Sequence, residues 1–128
     1  MREITVLIID EHPAVRRELA RGLSAARPLK VVSHTGDYRL GTELAWFWEP
    51  DIILLDVKTN GHDALDICRQ VGRASPGSAL VVFTSYLANG DERPYLEAGA
   101  SKCLLKGMSM KGLVKELSAL ANQRVAAA

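Results

Sequence analysis

The sequence predicts an α/β domain built on one parallel sheet with helices on both faces, and three observations predict it. Short apolar runs alternate with stretches of helical periodicity from one end of the chain to the other. Such alternation implies right-handed crossovers that pack each helix back onto a parallel sheet. Four of the runs also hand on to a polar group: 4–9 to Asp10 and Glu11, 52–55 to Asp56, 79–83 to Thr84 and Ser85, and 103–105 to Lys106. In open sheets of this class ligands lie outside the carboxyl ends of the strands, so these polar residues are expected to share one site.

The elements follow in order. After the first strand, Pro13 opens a helix over 13–27, because a proline at the first helical position sacrifices no intrahelical hydrogen bond. Val15, Leu19, Leu23 and Ala26 form its inward face, with Arg16, Arg17 and Arg21 as a solvated face. Pro28 closes it, and 29–34 reads as a second strand. Asp37 caps a second helix with Leu40, Leu44 and Phe47 inward, and Pro50 leads into the third strand. Trp46, Phe47 and Trp48 cannot all share one inward face, so one tryptophan is expected to be exposed. Asp63 caps a third helix with Ala64, Ile67, Cys68 and Val71 inward. A helix is expected within 89–98, irregular because Gly90 and Pro94 interrupt it, and ended by Gly99. The fifth strand covers 102–105, and Ser109 caps a last helix with Leu113, Val114, Leu117 and Leu120 on one face. A functional domain over 1–122 and a tail over 123–128 without structure are expected.

Bulk properties narrow the function classes. A chain of 128 residues, 48% apolar and 24% charged, is one globular domain by length and too apolar for disorder. A net charge of +1 gives no global field to attract nucleic acid. No run is long enough to cross a bilayer, and Met1-Arg2-Glu3 leads straight into a strand without an export signal. With two cysteines, Cys68 and Cys103, reduced thiols in a cytoplasmic protein are expected, each cysteine serving as a small buried hydrophobe. His12 follows the acidic pair and could assist at the site, although a solvated residue at the start of the first helix is the expectation, and His34 and His62 show no metal-ligand spacing.

The strand-end set is three carboxylates, hydroxyls and an ammonium. Carboxylates ~5 Å apart repel by roughly 3 kcal/mol at an effective dielectric of about 20, so Asp10, Glu11 and Asp56 call for a cation. Mg²⁺ suits them, since it takes oxygen ligands and commonly combines one or two carboxylates with a phosphate. Lys106 can bind phosphate as a point charge, and the Thr84 hydroxyl can donate to a phosphoryl oxygen beside the small Ser85. The expected chemistry is transfer of a phosphoryl group to Asp56. A flavodoxin-like cofactor binder is disfavoured, because 10–13 reads Asp-Glu-His-Pro where a phosphate loop would need Ser, Thr or Gly.

Ile8-Ile9-Asp10-Glu11, Leu54-Leu55-Asp56-Val57, Val82-Phe83-Thr84-Ser85 and the stretch 98–106 ending in Lys106 together resemble the receiver domain of two-component response regulators, over essentially the whole chain. The resemblance implies a (βα)5 fold with strand order 2-1-3-4-5. It implies Asp56 as phosphoacceptor, Asp10 and Glu11 with the Lys58 backbone carbonyl as further metal ligands, and Thr84 and Lys106 on the phosphoryl group. It also implies a sensor histidine kinase as partner, a homodimer, and self-catalysed phosphorylation and dephosphorylation rather than metabolic chemistry. Ala98-Gly99-Ala100 with Leu104-Leu105-Lys106-Gly107 is most similar to the NarL/LuxR-type branch, which implies transcription regulation, DNA being reached only through an output domain absent from this sequence. Three positions depart from the family. Thr59 and Asn60 stand where methionine and proline are usual, and Cys103 occupies the switch position on the fifth strand where Tyr or Phe is usual. Cys103 and the fourth helix broken by Gly90 and Pro94 keep open a second reading, a receiver-shaped interaction or dimerisation module that works without phosphorylation.

Overall fold

The computed structural model describes residues 2–57 and 63–127. Five strands, β1 (Ile4–Ile9), β2 (Leu29–Thr35), β3 (Ile52–Leu55), β4 (Ala79–Thr84) and β5 (Lys102–Leu105), form one sheet in the order β2-β1-β3-β4-β5. All four pairings are parallel, with one register irregularity between Val6 and Leu7 against β2. The helices are α1 (Pro13–Ser24), α2 (Tyr38–Trp48), α3 (Asp63–Ala74), α4 (Arg93–Glu97) and α5 (Met110–Ala127), with a 3₁₀ turn at Ala88–Gly90 before α4.

Alternate residues of each central strand feed two cores. Leu7, Ile9, Ile53, Leu55, Leu80 and Val82 point to the face covered by α2, α3 and α4. Ile8, Ile52, Leu54, Val81 and Phe83 point to the face covered by α1 and α5, where Leu19, Leu23, Leu113 and Leu117 meet them. Burial on both faces is why these strands read as unbroken apolar runs. Switching of the strand order between β1 and β3 opens the crevice at their C-terminal ends.

Several expected boundaries and faces shift. The first helix ends at Ser24 rather than at 27, and Val15 is exposed. In α2 the buried residues are Gly41 and Ala45, while Leu40 and Phe47 face outward and Leu44 is half-buried. The reason is the close approach of α2 to β1: a Cβ on Gly41 would stand 2.7 Å from Ile9 Cδ1. The helix therefore lays its smallest side chains on the sheet, and its larger apolar residues are turned aside. Trp46, Phe47 and Trp48 are then all exposed, not one of them, with the Phe47 and Trp48 rings in edge contact at 5.2 Å. The helix expected within 89–98 is broken by Asn89 and Gly90, both at positive φ, and restarts with Pro94 in its first turn. Gly99, at φ 111°, ends it. At the other end α5 continues to Ala127, where a structureless tail was expected from 123, because Gln, Arg and Ala extend a helix without needing an apolar stripe. Asp37 and Ser109 cap as expected, accepting hydrogen bonds from Arg39 N at 2.8 Å and Gly112 N at 3.0 Å.

Candidate functional site

Parallel pairing continues one residue past the regular strands and fixes the site. Asp10 N donates to Thr35 O (2.9 Å), Asp56 N to Ile9 O (2.9 Å) and Lys106 N to Thr84 O (2.9 Å). Each functional side chain therefore springs from backbone already tied to the neighbouring strand. Their tips meet: Lys106 Nζ donates to Asp10 Oδ2 at 2.7 Å and lies 3.0 Å from Asp56 Oδ2. The two carboxylate side chains are 2% and 7% exposed and the Lys106 side chain 13%, so water screens this contact poorly.

Around this triad sit groups of unequal predictability. His12 is exposed at the start of α1, as expected, yet its ring reaches the site: Nδ1 is 3.1 Å from Asp10 Oδ1 and 3.4 Å from Asp56 Oδ2, and its backbone N donates to Asp10 Oδ1 at 2.9 Å. Asp10, His12 and Asp56 form a group whose ligand atoms lie within 4.8 Å of one another, close enough to hold a metal ion. Arg16 is no solvated residue; its guanidinium donates to Asp10 O at 2.7 Å and to His34 Nδ1 at 3.2 Å. Tyr38, which sequence reasoning did not single out, donates its hydroxyl to Asp56 O at 3.0 Å. Its position at the start of α2, at the mouth of the crevice, was the available signal.

Burial raises the Asp56 pKa above the ordinary carboxylate range, and Asp10 adds to the rise while the Lys106 hydrogen bond opposes it. Burial, with the negative field of Asp56, Glu11 and Asp10, pushes the Tyr38 phenol up to about 12, so it remains a donor at neutral pH. Thr84 is buried at the end of β4, its hydroxyl 3.3 Å from Val57 O and 3.4 Å from Tyr86 O. Glu11 is half-buried beside Asp10, and Ser85 is exposed. Cys103 is buried beneath α4 in one cluster with Cys68 and Tyr95. Burial pushes the Cys103 thiol up to about 11 and the Cys68 thiol up to about 12, which keeps both protonated and inert. Lys58, Thr59 and Asn60 lie outside the described residues.

With Asp10, Asp56 and Lys106 at successive strand ends, the comparison with known proteins is decisive: residues 6–118 match the family model of the response regulator receiver domain. The chain belongs to this family. Curated relatives of the receiver domain include the transcriptional regulatory protein LiaR of Bacillus subtilis, 36% identical over 103 residues (80% of this chain, 49% of that protein). The nitrate/nitrite response regulator NarL of Escherichia coli K12 is 34% identical over 113 residues, 88% of this chain and 52% of its own length. Such relatives make this a receiver of NarL/LuxR type, and the chain spans about half the length of the curated relatives it matches. The signal receiver domain of NarL from Mycobacterium tuberculosis superposes with a TM-score of 0.84 at 24% identity over 95% of this chain and 98% of that one, a likeness of fold. Among the described residues no helix of the receiver is long and apolar enough to cross a membrane.

Proposed function

We propose that Asp56 accepts a phosphoryl group from a sensor histidine kinase, with Mg²⁺ bound, and that the aspartyl phosphate switches an output such as transcription regulation. The observation that carries this reading is the Lys106 ammonium shared between the buried Asp10 and Asp56 carboxylates. Two converging buried carboxylates, one of them with a raised proton affinity, leave negative charge that a single ammonium does not cancel. That oxygen-rich donor set fits Mg²⁺, which Asp10, Glu11, Asp56 and the Lys58 carbonyl would hold. When bound, the ion neutralises charge on the transferring phosphoryl oxygens.

The remaining work falls to the chain's own groups. An Asp56 oxygen forms the new bond to phosphorus as the bond from phosphorus to the donor nitrogen breaks, and the donor imidazole leaves. Lys106 turns from bridging two carboxylates to pairing with the new phosphoryl charge. The Thr84 hydroxyl, held only by long contacts, swings to a phosphoryl oxygen, and the small exposed Ser85 leaves the approach open. Tyr38 keeps the Asp56 backbone still by gripping its carbonyl. The receiver unit, with α5 to its end, acts in the cytoplasm, its partners being the kinase and a second copy of itself. DNA would be reached through an output domain.

Treatment with an acyl phosphate and Mg²⁺, read by intact mass and oligomer size, tests the proposal. A phosphate adduct that Asp56→Asn abolishes, with a change in oligomer, is the expected result, and an unchanged mass would refute it. The second reading, a module that docks or dimerises without phosphate, is favoured by Cys103, whose small thiol offers no bulky ring on β5 to couple the site to the surface. An adduct without any change of oligomer or partner would favour it.

A further inference from the structure

Resting on the metal-dependent reading above, we infer that His12 is a nitrogen ligand of the same site, which therefore takes first-row transition ions such as Zn²⁺ or Co²⁺ in a way a carboxylate-only site would not. The geometry is specific. His12 Nδ1 stands 3.1 Å from Asp10 Oδ1 and 3.4 Å from Asp56 Oδ2. Ligand atoms at about 2.0–2.1 Å from a tetrahedral ion are themselves about 3.3 Å apart, so both His12 contacts match edges of such a coordination shell, and the ligand atoms of all three residues lie within 4.8 Å of one another. Three protein ligands leave the fourth position for water or a phosphoryl oxygen, the arrangement of a reactive rather than a structural site.

The donor chemistry sets the selectivity. Mg²⁺ is a hard ion that takes oxygen and keeps its waters, and an imidazole offers it little. Zn²⁺ and Co²⁺ accept imidazole nitrogen readily. Lys106 does not block the arrangement, since it holds the other oxygen of Asp10, Oδ2, and shares only Asp56 Oδ2 with the ion. The ring is held to Asp10 Oδ1 by one 3.1 Å hydrogen bond, which the ion would replace. The His12 side chain is 59% exposed and caps nothing, so the ion enters from solvent and the ring can be removed without loosening α1. The backbone hydrogen bond from His12 N to Asp10 survives any substitution but proline.

The test uses the whole chain as wild type, His12→Ala and Asp56→Asn. Mg²⁺, Zn²⁺ and Co²⁺ are titrated by calorimetry, and the Co²⁺ visible spectrum is recorded. Removal of the imidazole is expected to weaken Zn²⁺ and Co²⁺ binding tenfold or more, to change Mg²⁺ affinity less than twofold, and to shift the Co²⁺ bands. Asp56→Asn should weaken all three ions. Equal factors for Mg²⁺ and Zn²⁺ in His12→Ala, or an unchanged Co²⁺ spectrum, would overturn the inference. Bands that survive in Asp56→Asn would do the same, by putting the ion elsewhere. An intact Mg²⁺-dependent phosphate adduct alongside such a result leaves the phosphoacceptor reading standing. Absence of both adduct and divalent binding would bring down the two together.

Discussion

Replacing Lys106 with methionine keeps most of the side-chain volume and removes the single ammonium between Asp10 and Asp56. Breaking a buried ion pair by deleting one partner costs roughly 3–5 kcal/mol, because the other charge is left uncompensated. Here the loss has a ceiling, since a carboxylate can take up a proton instead. From the ordinary Asp value of 3.8, protonation at pH 7 costs about 4 kcal/mol, and at pH 5 less than about 2 kcal/mol. Lys106→Met is therefore expected to destabilise by ~3–4 kcal/mol at pH 7 and by under ~2 kcal/mol at pH 5.

The sign follows from Asp56, whose pKa in the folded chain is already raised by burial. The folded chain holds that proton to higher pH than the unfolded chain does. Asp56 thus disfavours folding increasingly as pH climbs from 3.8 through the folded value, and losing Lys106 widens that window upward. Urea denaturation of wild type and variant at pH 5, 6 and 7 measures the gap. Adding Asp56→Asn to Lys106→Met should recover most of the loss. A gap under about 1 kcal/mol at pH 7, or one that does not shrink at pH 5, would show that the carboxylates do not depend on the ammonium.

Two further substitutions probe the scaffold. Gly41→Ala improves helix propensity by roughly 1 kcal/mol, but its Cβ would meet Ile9 Cδ1 at 2.7 Å, so a net loss of about 1–2 kcal/mol is expected in urea denaturation. Tyr38→Phe removes the 3.0 Å hydrogen bond to Asp56 O and should cost about 1 kcal/mol while slowing adduct formation, both readable on one purified variant.

The sheet and the site triad were legible because their signals are local and redundant. An unbroken apolar run ending in an acid or an amine says both strand and strand end, and the parallel ladder then carries Asp10, Asp56 and Lys106 to one edge. The α2 face was misread for a physical reason. Periodicity weights large apolar residues, while close packing on Ile9 selects Gly41 and Ala45. Arg16 was illegible, and His12 legible only as one of two alternatives, for another reason. Solvated and site-facing polar residues at a helix start share the same sequence pattern, and only the turn after β1 decides which way they lean. Tyr38 likewise acts through a backbone carbonyl, a partner that leaves no trace in residue identity.

Where β5 offers only a thiol, the aromatic bulk in that part of the core comes from Tyr95, buried in one cluster with Cys68 and Cys103. This ring belongs to α4, a helix of five residues hung between a glycine-bearing 3₁₀ turn and Gly99. A ring anchored on a strand rotates while its backbone stays put. Tyr95 is the wedge that seats its own short helix, so prising it out would carry the helix with it and re-contour the outer surface beside β5.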